Sequence, residues 1–252
     1  MNQDLELAMA LANIADEISM RWFGSADLSV ETKSDGSPVT AIDHDIETQI
    51  RAAIADEFPA DGVIGEEFDD SNPDATRQWI LDPIDGTKAY MRGHESWATL
   101  IALEVEGEVT VAVASAPSMR ERYHAVRGGG AFLQAKPIHV SQVREVSEAL
   151  LSHTGIRGFT KIGQEKAVED LARRCWDTRG AGNSFTHLSV AKGTADIGWT
   201  SRAALWDYAA LSLIVTEAGG KFHDGSGRGS AGPGVSSNPW LYAAALSAAG
   251  IA

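Results

Sequence analysis

The run Trp79-Ile80-Leu81-Asp82-Pro83-Ile84-Asp85-Gly86-Thr87 constrains this chain more than any other stretch. Trp and Ile favour strands, so the apolar residues read as the end of a buried strand, while the Asp-Pro and Asp-Gly pairs are turn formers. The strand is therefore expected to stop at Asp82. Two carboxylates three residues apart at a strand end can converge on one point, where they repel each other unless a cation lies between them. Hard oxygen ligands of this kind suit Mg2+ and suit zinc poorly. Gly86 lets an anion approach backbone N–H groups, and the Thr87 hydroxyl can orient a water. Taken alone, the same residues also make an ordinary turn with two solvated aspartates.

A chain of 252 residues with 44% hydrophobic content can bury a large core, as one big domain or two intimate ones. The single cysteine, Cys175, excludes a disulfide framework and suggests a reducing compartment. Met1 to Met20 carries Asp4, Glu6, Asp16 and Glu17 with no basic leader, so neither a signal peptide nor a membrane span is expected and the protein reads as cytoplasmic. A net charge of −14 without a Lys/Arg cluster argues against nucleic-acid binding. The same charge should repel an anionic substrate, so any such substrate needs bound metal to invert the local potential.

From the N-terminus, Leu5, Ala8, Leu11, Ala12, Ala15 and Ile18 mark one face of a packing helix over Asp4–Met20. Lys33 to Pro38 reads as a polar loop. A second helix is expected near Thr40, where Thr40 and Asp43 approximate a capping box and Ile46, Ile50, Ala53 and Ile54 form the buried stripe. Asp43 has a sufficient explanation in the helix dipole. Val63-Ile64-Gly65 is a short strand running into Glu66-Glu67, and alternation along a strand allows one of the two acids to share a site with Asp82. Trp97–Glu104, Glu108–Ser115 and Arg120–Val126 form an antiparallel meander. Arg127-Gly128-Gly129-Gly130 lacks the strand-to-helix context of a phosphate cradle and reads as a bend or bulge.

Beyond Lys136 the rhythm becomes α/β, with a strand over Ala149–Ser152, a helix over Lys161–Arg174, a return near Trp176 and a helix through Leu188–Lys192. Leu205 opens a further helix with Trp206, Ala209, Ala210, Leu213 and Ile214 on its inner face, ended by Gly219-Gly220. Asp207 sits in its first turn, where the dipole favours an anion whatever its task. The seven histidines show no metal-binding spacing.

The succession Gly65-Glu66-Glu67, then Trp79 to Thr87, then Trp206-Asp207 with Ala209-Ala210, with Asp43 upstream, resembles the inositol monophosphatase family of magnesium-dependent phosphatases. The resemblance runs from about Leu5 to Asn238. It implies an α+β / α/β fold, a layered α-β-α-β-α sandwich. An α+β half over 1–136 would carry most metal ligands, and an α/β half over 137–252 would contribute Asp207 and the substrate pocket. It further implies a homodimer, sensitivity to Li+ and two or three Mg2+ per site. Glu66, Asp82 and the Ile84 carbonyl would hold one ion, and Asp82, Asp85 and Asp207 a second. Four carboxylates and a phosphate dianion carry about six negative charges, which three divalent ions neutralise. A water acidified by Mg2+ near Glu66 would be the nucleophile, oriented by Thr87, with Asp43 accepting a hydrogen bond from Thr87. The amides of Gly86 and Thr87 would hold phosphate oxygens.

Lys88, Arg92-Gly93 and the run Trp97 to Leu103 look like the histidinol-phosphatase branch of this family, which makes histidinol phosphate the first candidate substrate. Inositol 1-phosphate and other sugar or nucleotide phosphates are the alternatives, and a noncatalytic metal-binding scaffold is the alternative of another class. Asn183 and Thr200 stand where relatives commonly place acids that read the leaving group, and neither supplies a charge. Arg202 and His187 could read a different leaving group, or serve as a surface ion pair and a packed helix face.

Overall fold

The computed structural model describes residues 3–25, 30–32, 38–227 and 230–251. Most of the polar loop read over Lys33–Pro38 lies outside the described residues. Helix α1 (Gln3–Trp22) buries Ala8, Leu11, Ala12, Ala15 and Ile18, while Leu5 is half-buried at its edge. A short antiparallel pair, β1 (Val30–Thr32) and β2 (Pro38–Thr40), leads into α2 (Ala41–Glu57). Thr40 caps that helix: its hydroxyl accepts from the amides of Ile42 and Asp43, and the Asp43 carboxylate accepts from the Thr40 amide. Ile46, Ile50 and Ile54 then face inward, and α1 and α2 pack together against one sheet.

That sheet has seven strands: β3 (Gly62–Gly65) and β4 (Arg77–Asp85), then, after the short helix α3 (Thr87–Met91), β5 (Ala98–Val105), β6 (Glu108–Ala116), β7 (Glu121–Val126), β8 (Gly130–Leu133) and β9 (Lys136–Pro137). From β4 onward it is the antiparallel meander that the sequence implies. Glu106 (φ 53°) and Gly107 (φ 83°) make its first tight turn in the left-handed region that primed hairpin turns need. The Gly128–Gly130 turn joins β7 to β8, and the amides of Gly128 and Gly130 both donate to the Glu217 carboxylate at 2.8 Å.

The strand does not stop at Asp82. It runs to Asp85 through a bulge, since Asp82 faces Leu100 while Asp85 faces Ala98, three steps on β4 against two on β5. Proline lacks the amide that a regular ladder uses, but a bulge leaves a residue unpaired and tolerates it. The Pro83 carbonyl is satisfied by the Thr99 hydroxyl at 2.7 Å.

The second sheet contains β10 (Leu150–His153), β11 (Asp177–Arg179), β12 (Ile197–Ala203), β13 (Lys221–Asp224) and β14 (Gly232–Ser237), in the order β11-β10-β12-β14-β13. The helix expected over Lys161–Arg174 begins later, as α5 (Glu165–Arg174), and a short helix that the sequence reading did not include, α4 (Ile156–Lys161), precedes it across a turn at Gly163 with φ 68°. They are followed by α6 (Phe185–Ala191), α7 (Leu205–Glu217) and α8 (Tyr242–Ala248). Helices α6 and α7 lie between the sheets, and α7 touches β4, β5 and β6 on one side and β13 on another. A helix in a central layer is apolar nearly all round. Tyr208, Leu211 and Val215 are therefore buried too, whereas Trp206, expected on the inner face, is half-buried.

Three cores fill the spaces between five layers: one under α1 and α2, one around α6 and α7 between the two sheets, and one between the five-stranded sheet and α4, α5 and α8. This is the α-β-α-β-α sandwich. Among the described residues no helix is long and apolar enough to cross a membrane. Ile50→Ala, at a fully buried position, is expected to cost about 3 kcal/mol, while Met20→Ala on the exposed side of α1 stays within about 0.5 kcal/mol. Urea unfolding of both variants checks this, and a loss below about 1 kcal/mol for Ile50→Ala contradicts the packing of α2.

Candidate active site

The β4 bulge and the start of α7 bring three carboxylates together. One oxygen from each of Asp82, Asp85 and Asp207 lies within 4.8 Å of the others. Asp82 and Asp85 are buried, and Asp207 is half-exposed as a residue while its carboxylate sits against the other two. Backbone donors fix two of them: the Ser184 amide donates to Asp85 Oδ2 at 2.5 Å, and the Ala204 amide to Asp207 Oδ2 at 2.5 Å. Asp82 Oδ1 is buried without a hydrogen-bond partner among the described residues.

Such a cluster resists ionisation. Burial, reinforced by the charges of Glu66, Asp85, Asp207 and Asp43, pushes Asp82 well above the ordinary carboxylate range. Burial likewise raises Asp85 to about 6 against the opposing hydrogen bonds from Ser184, and raises Asp207 to about 8 with help from the Asp85 charge. Convergent, buried, all-oxygen ligands with an unsatisfied atom among them fit a hard divalent cation such as Mg2+.

Glu66 follows β3, and its charge reaches Asp43, Asp82, Asp85 and Asp207. Glu67 turns instead to His44, 3.8 Å away. The loop carrying both acids is clamped from α2. Fully buried Glu47 accepts the Glu67 amide at 3.0 Å and an Arg51 hydrogen bond at 2.8 Å. A Cβ at Gly65 would lie 2.0 Å from Glu47 Oε1, so this close approach requires glycine.

The hydrogen bond expected from Thr87 to Asp43 is not formed. The Thr87 hydroxyl donates to the Ile84 carbonyl at 3.2 Å, one turn back in the chain, while Asp43 accepts from both the amide and the hydroxyl of Thr40. Burial raises the Asp43 pKa, opposed by Thr40 and assisted by Glu66. Gly86 (φ 96°) precedes α3, and a Cβ there would lie 2.2 Å from Asn183 Nδ2.

A cavity of about 580 Å3 opens beside the cluster, lined by Asp85, Asn183, Thr200 and Asp207 among others. The Asn183 amide is committed to the Ser96 carbonyl at 2.8 Å. Thr200 Oγ1 lies 2.9 Å from His187 Nε2, and His187 Nδ1 lies 2.8 Å from Ser236 Oγ. Burial pushes His187 down to about 3, so it is a neutral packing residue between hydroxyls, with the Tyr208 and Phe222 rings beside it. Ser184 and Glu47 escaped the sequence reading. Ser184 acts through its backbone, which leaves no trace in residue type, and Glu47 looks like any helix acid until the fold buries it.

The layered sandwich thus carries an acidic cluster that could bind a metal ion beside an open cavity. The model of the inositol monophosphatase family matches residues 1–250. The histidinol-phosphatase of Mycobacterium tuberculosis is 40% identical over 248 residues, covering 96% of this chain and 95% of that protein. That of Streptomyces coelicolor is 42% identical over 234 residues, covering 89% and 88%. The structure of an inositol monophosphatase from Zymomonas mobilis matches with a TM-score of 0.87 at 34% identity, covering 98% of each chain. The chain belongs to the inositol monophosphatase family. It is a phosphoric monoester hydrolase.

In the metal-free protein Asp85 and Asp207 keep protons that the unfolded chain, titrating near 3.8, has lost, so stability falls as pH rises through about 6 and about 8. With EDTA present, Asp207→Asn is therefore expected to gain melting temperature relative to wild type as pH increases from about 4 to about 8. A difference that is flat or shrinks with pH contradicts the burial of an ionisable Asp207.

Proposed function

We propose that this phosphatase uses two or three Mg2+ to hydrolyse a small phosphorylated metabolite, with histidinol phosphate as the first candidate. The convergence of Asp82, Asp85 and Asp207 at the edge of an open cavity, with one buried oxygen unsatisfied, carries this reading. Glu66, Asp82 and the Ile84 carbonyl would hold one ion, and Asp82, Asp85 and Asp207 another. Bound there, Mg2+ would neutralise the carboxylates, acidify a water nucleophile and stabilise the leaving oxygen. The amides of Gly86 and Thr87 bind phosphate oxygens, which the missing Cβ of Gly86 allows to come close. Thr87 and Glu66 orient the attacking water, the Thr87 hydroxyl turning from the Ile84 carbonyl to do so. Asp43 holds the start of α2 beside Glu66 through Thr40. Direct attack by water needs no covalent phosphoenzyme.

Histidinol phosphate is supported by the two relatives named as histidinol-phosphatases at 40% and 42% identity. A sugar or inositol phosphate is the second reading, favoured because Asn183 and Thr200 carry no charge to offer an amine and already bond to Ser96 and His187. The division into a metal-bearing half over 1–136 and a second half over 137–252 is supported by the sheets, the first spanning Gly62 to Pro137 and the second starting at Leu150. Homodimer assembly and Li+ sensitivity rest on the family alone, and a cytoplasmic location on the acidic N-terminus and the single cysteine.

Asp85→Asn keeps the shape of the site and removes a charged ligand. It should weaken Mg2+ binding by at least about tenfold in calorimetry and lower kcat/KM for histidinol phosphate by about a hundredfold at limiting Mg2+. Near-wild-type values of both would contradict the assigned ligand set.

A further inference from the structure

Glu47 is fully buried on α2, one turn after Asp43, and the hydrolytic chemistry gives it no task. Its two oxygens take two different donors. Oε1 accepts from Arg51 Nε at 2.8 Å, and Oε2 accepts from the Glu67 amide at 3.0 Å. Arg51 donates in turn to the Phe68 carbonyl at 3.3 Å and to Ser71 Oγ at 3.5 Å, with its guanidinium over the Phe68 ring. On the other side of Glu66, the Gly65 backbone presses against the same carboxylate, where any Cβ would collide with it. The loop is closed at its base by Val63 and Ser71, which exchange amide-to-carbonyl hydrogen bonds at 3.0 and 2.9 Å. One ion pair on α2 thus holds the chain immediately before and immediately after Glu66.

Stability alone does not account for a pair in this place. The cost of taking two charges out of water roughly offsets their attraction, and apolar residues of similar volume usually hold a helix to its neighbour at least as well. Apolar residues cannot accept a backbone N–H, however, and that bond fixes the direction of the chain at Glu66. Other buried acids outside the cluster serve the scaffold. Asp61 accepts from Arg77 and the Trp79 indole, and Asp196 from Ser141 and the Leu150 amide, partners that all lie outside the Glu66 loop.

We propose that Glu47 and Arg51 are positioning residues for Glu66, setting the direction of its carboxylate and thereby the affinity of the site for the cation that Glu66 helps to hold. This rests on the reading of Glu66 as a metal ligand. Groups that orient a ligand through hydrogen bonds change metal affinity by about ten- to a hundredfold when they are lost. Glu47 acts through the backbone beside its target, which places the expected effect at the lower end, about tenfold. The substitution Glu47→Gln isolates this role. A carboxylate serves both donors, whereas a carboxamide has one oxygen, and its NH2 then meets either Arg51 or the Glu67 amide donor to donor.

The test measures Mn2+ affinity, from the EPR signal of the free ion, in the wild type, Glu47→Gln, Glu66→Gln and the variant carrying both. Melting with EDTA present checks that each is folded. Glu47→Gln is expected to weaken binding about tenfold, and the double variant to match Glu66→Gln alone to within about twofold, because Glu47 acts through Glu66. Glu47→Met/Arg51→Met removes both charges together and leaves neither unpaired, so it keeps the fold and should show the same loss of affinity. Unchanged Mn2+ affinity in either folded variant would overturn the positioning role. So would losses from Glu47→Gln and Glu66→Gln that multiply in the double variant, since a residue that merely supports the fold acts independently of Glu66. Unchanged affinity in Glu66→Gln would instead overturn the assignment of Glu66 as a ligand, and the positioning role with it.

Discussion

The mutual repulsion of Asp82, Asp85 and Asp207 is the constraint on which the rest of this structure depends. Three carboxylates buried within reach of one another raise each other's proton affinity and oppose folding whenever they are ionised. Among the described residues the scaffold does not relieve this by pairing them with Lys or Arg. It fixes two of them with backbone amides, those of Ser184 and Ala204, and leaves an oxygen of Asp82 unpaired. A divalent cation bound there would stabilise the fold, and ion binding would then be coupled directly to stability.

The layers make that strain sustainable. Helix α7, which carries Asp207, is buried nearly all round between the two sheets, so it cannot swing away from the bulged end of β4. On the other face of the seven-stranded sheet, α2 supplies Asp43 and Glu47, and Glu47 clamps the loop that bears Glu66. Two separate cores thus press on the site from opposite sides. Displacing either helix would have to break close packing before it could relax the charges.

Residue types, and the order in which they occur, made the cluster legible. Asp82, Asp85 and Asp207 carry their chemistry in their side chains, and the capping box at Thr40 and the hairpin turn at Glu106-Gly107 are local signals. What stayed hidden depends on tertiary context. Pro83 looked like the end of a strand because the sequence cannot show that a bulge will absorb it. The hydrogen bond of Thr87 goes to a carbonyl three residues back, a local partner that competes with the more distant Asp43. The turn at Gly163 delays the start of α5 within an otherwise helical composition, and the all-round burial of α7 blurs the one-face pattern that would have set Trp206 inside.

The central claim is that this carboxylate cluster is a cation site. Crystals grown with Mn2+, an oxygen-ligated ion with usable anomalous scattering, test it most directly. The account predicts an anomalous peak within coordination distance of Asp82, Asp85 and Asp207, with the Asp82 oxygen that now lacks a partner among the ligands. Well-ordered crystals at millimolar Mn2+ that show no peak there, or whose strongest peak lies away from all three carboxylates, would contradict it.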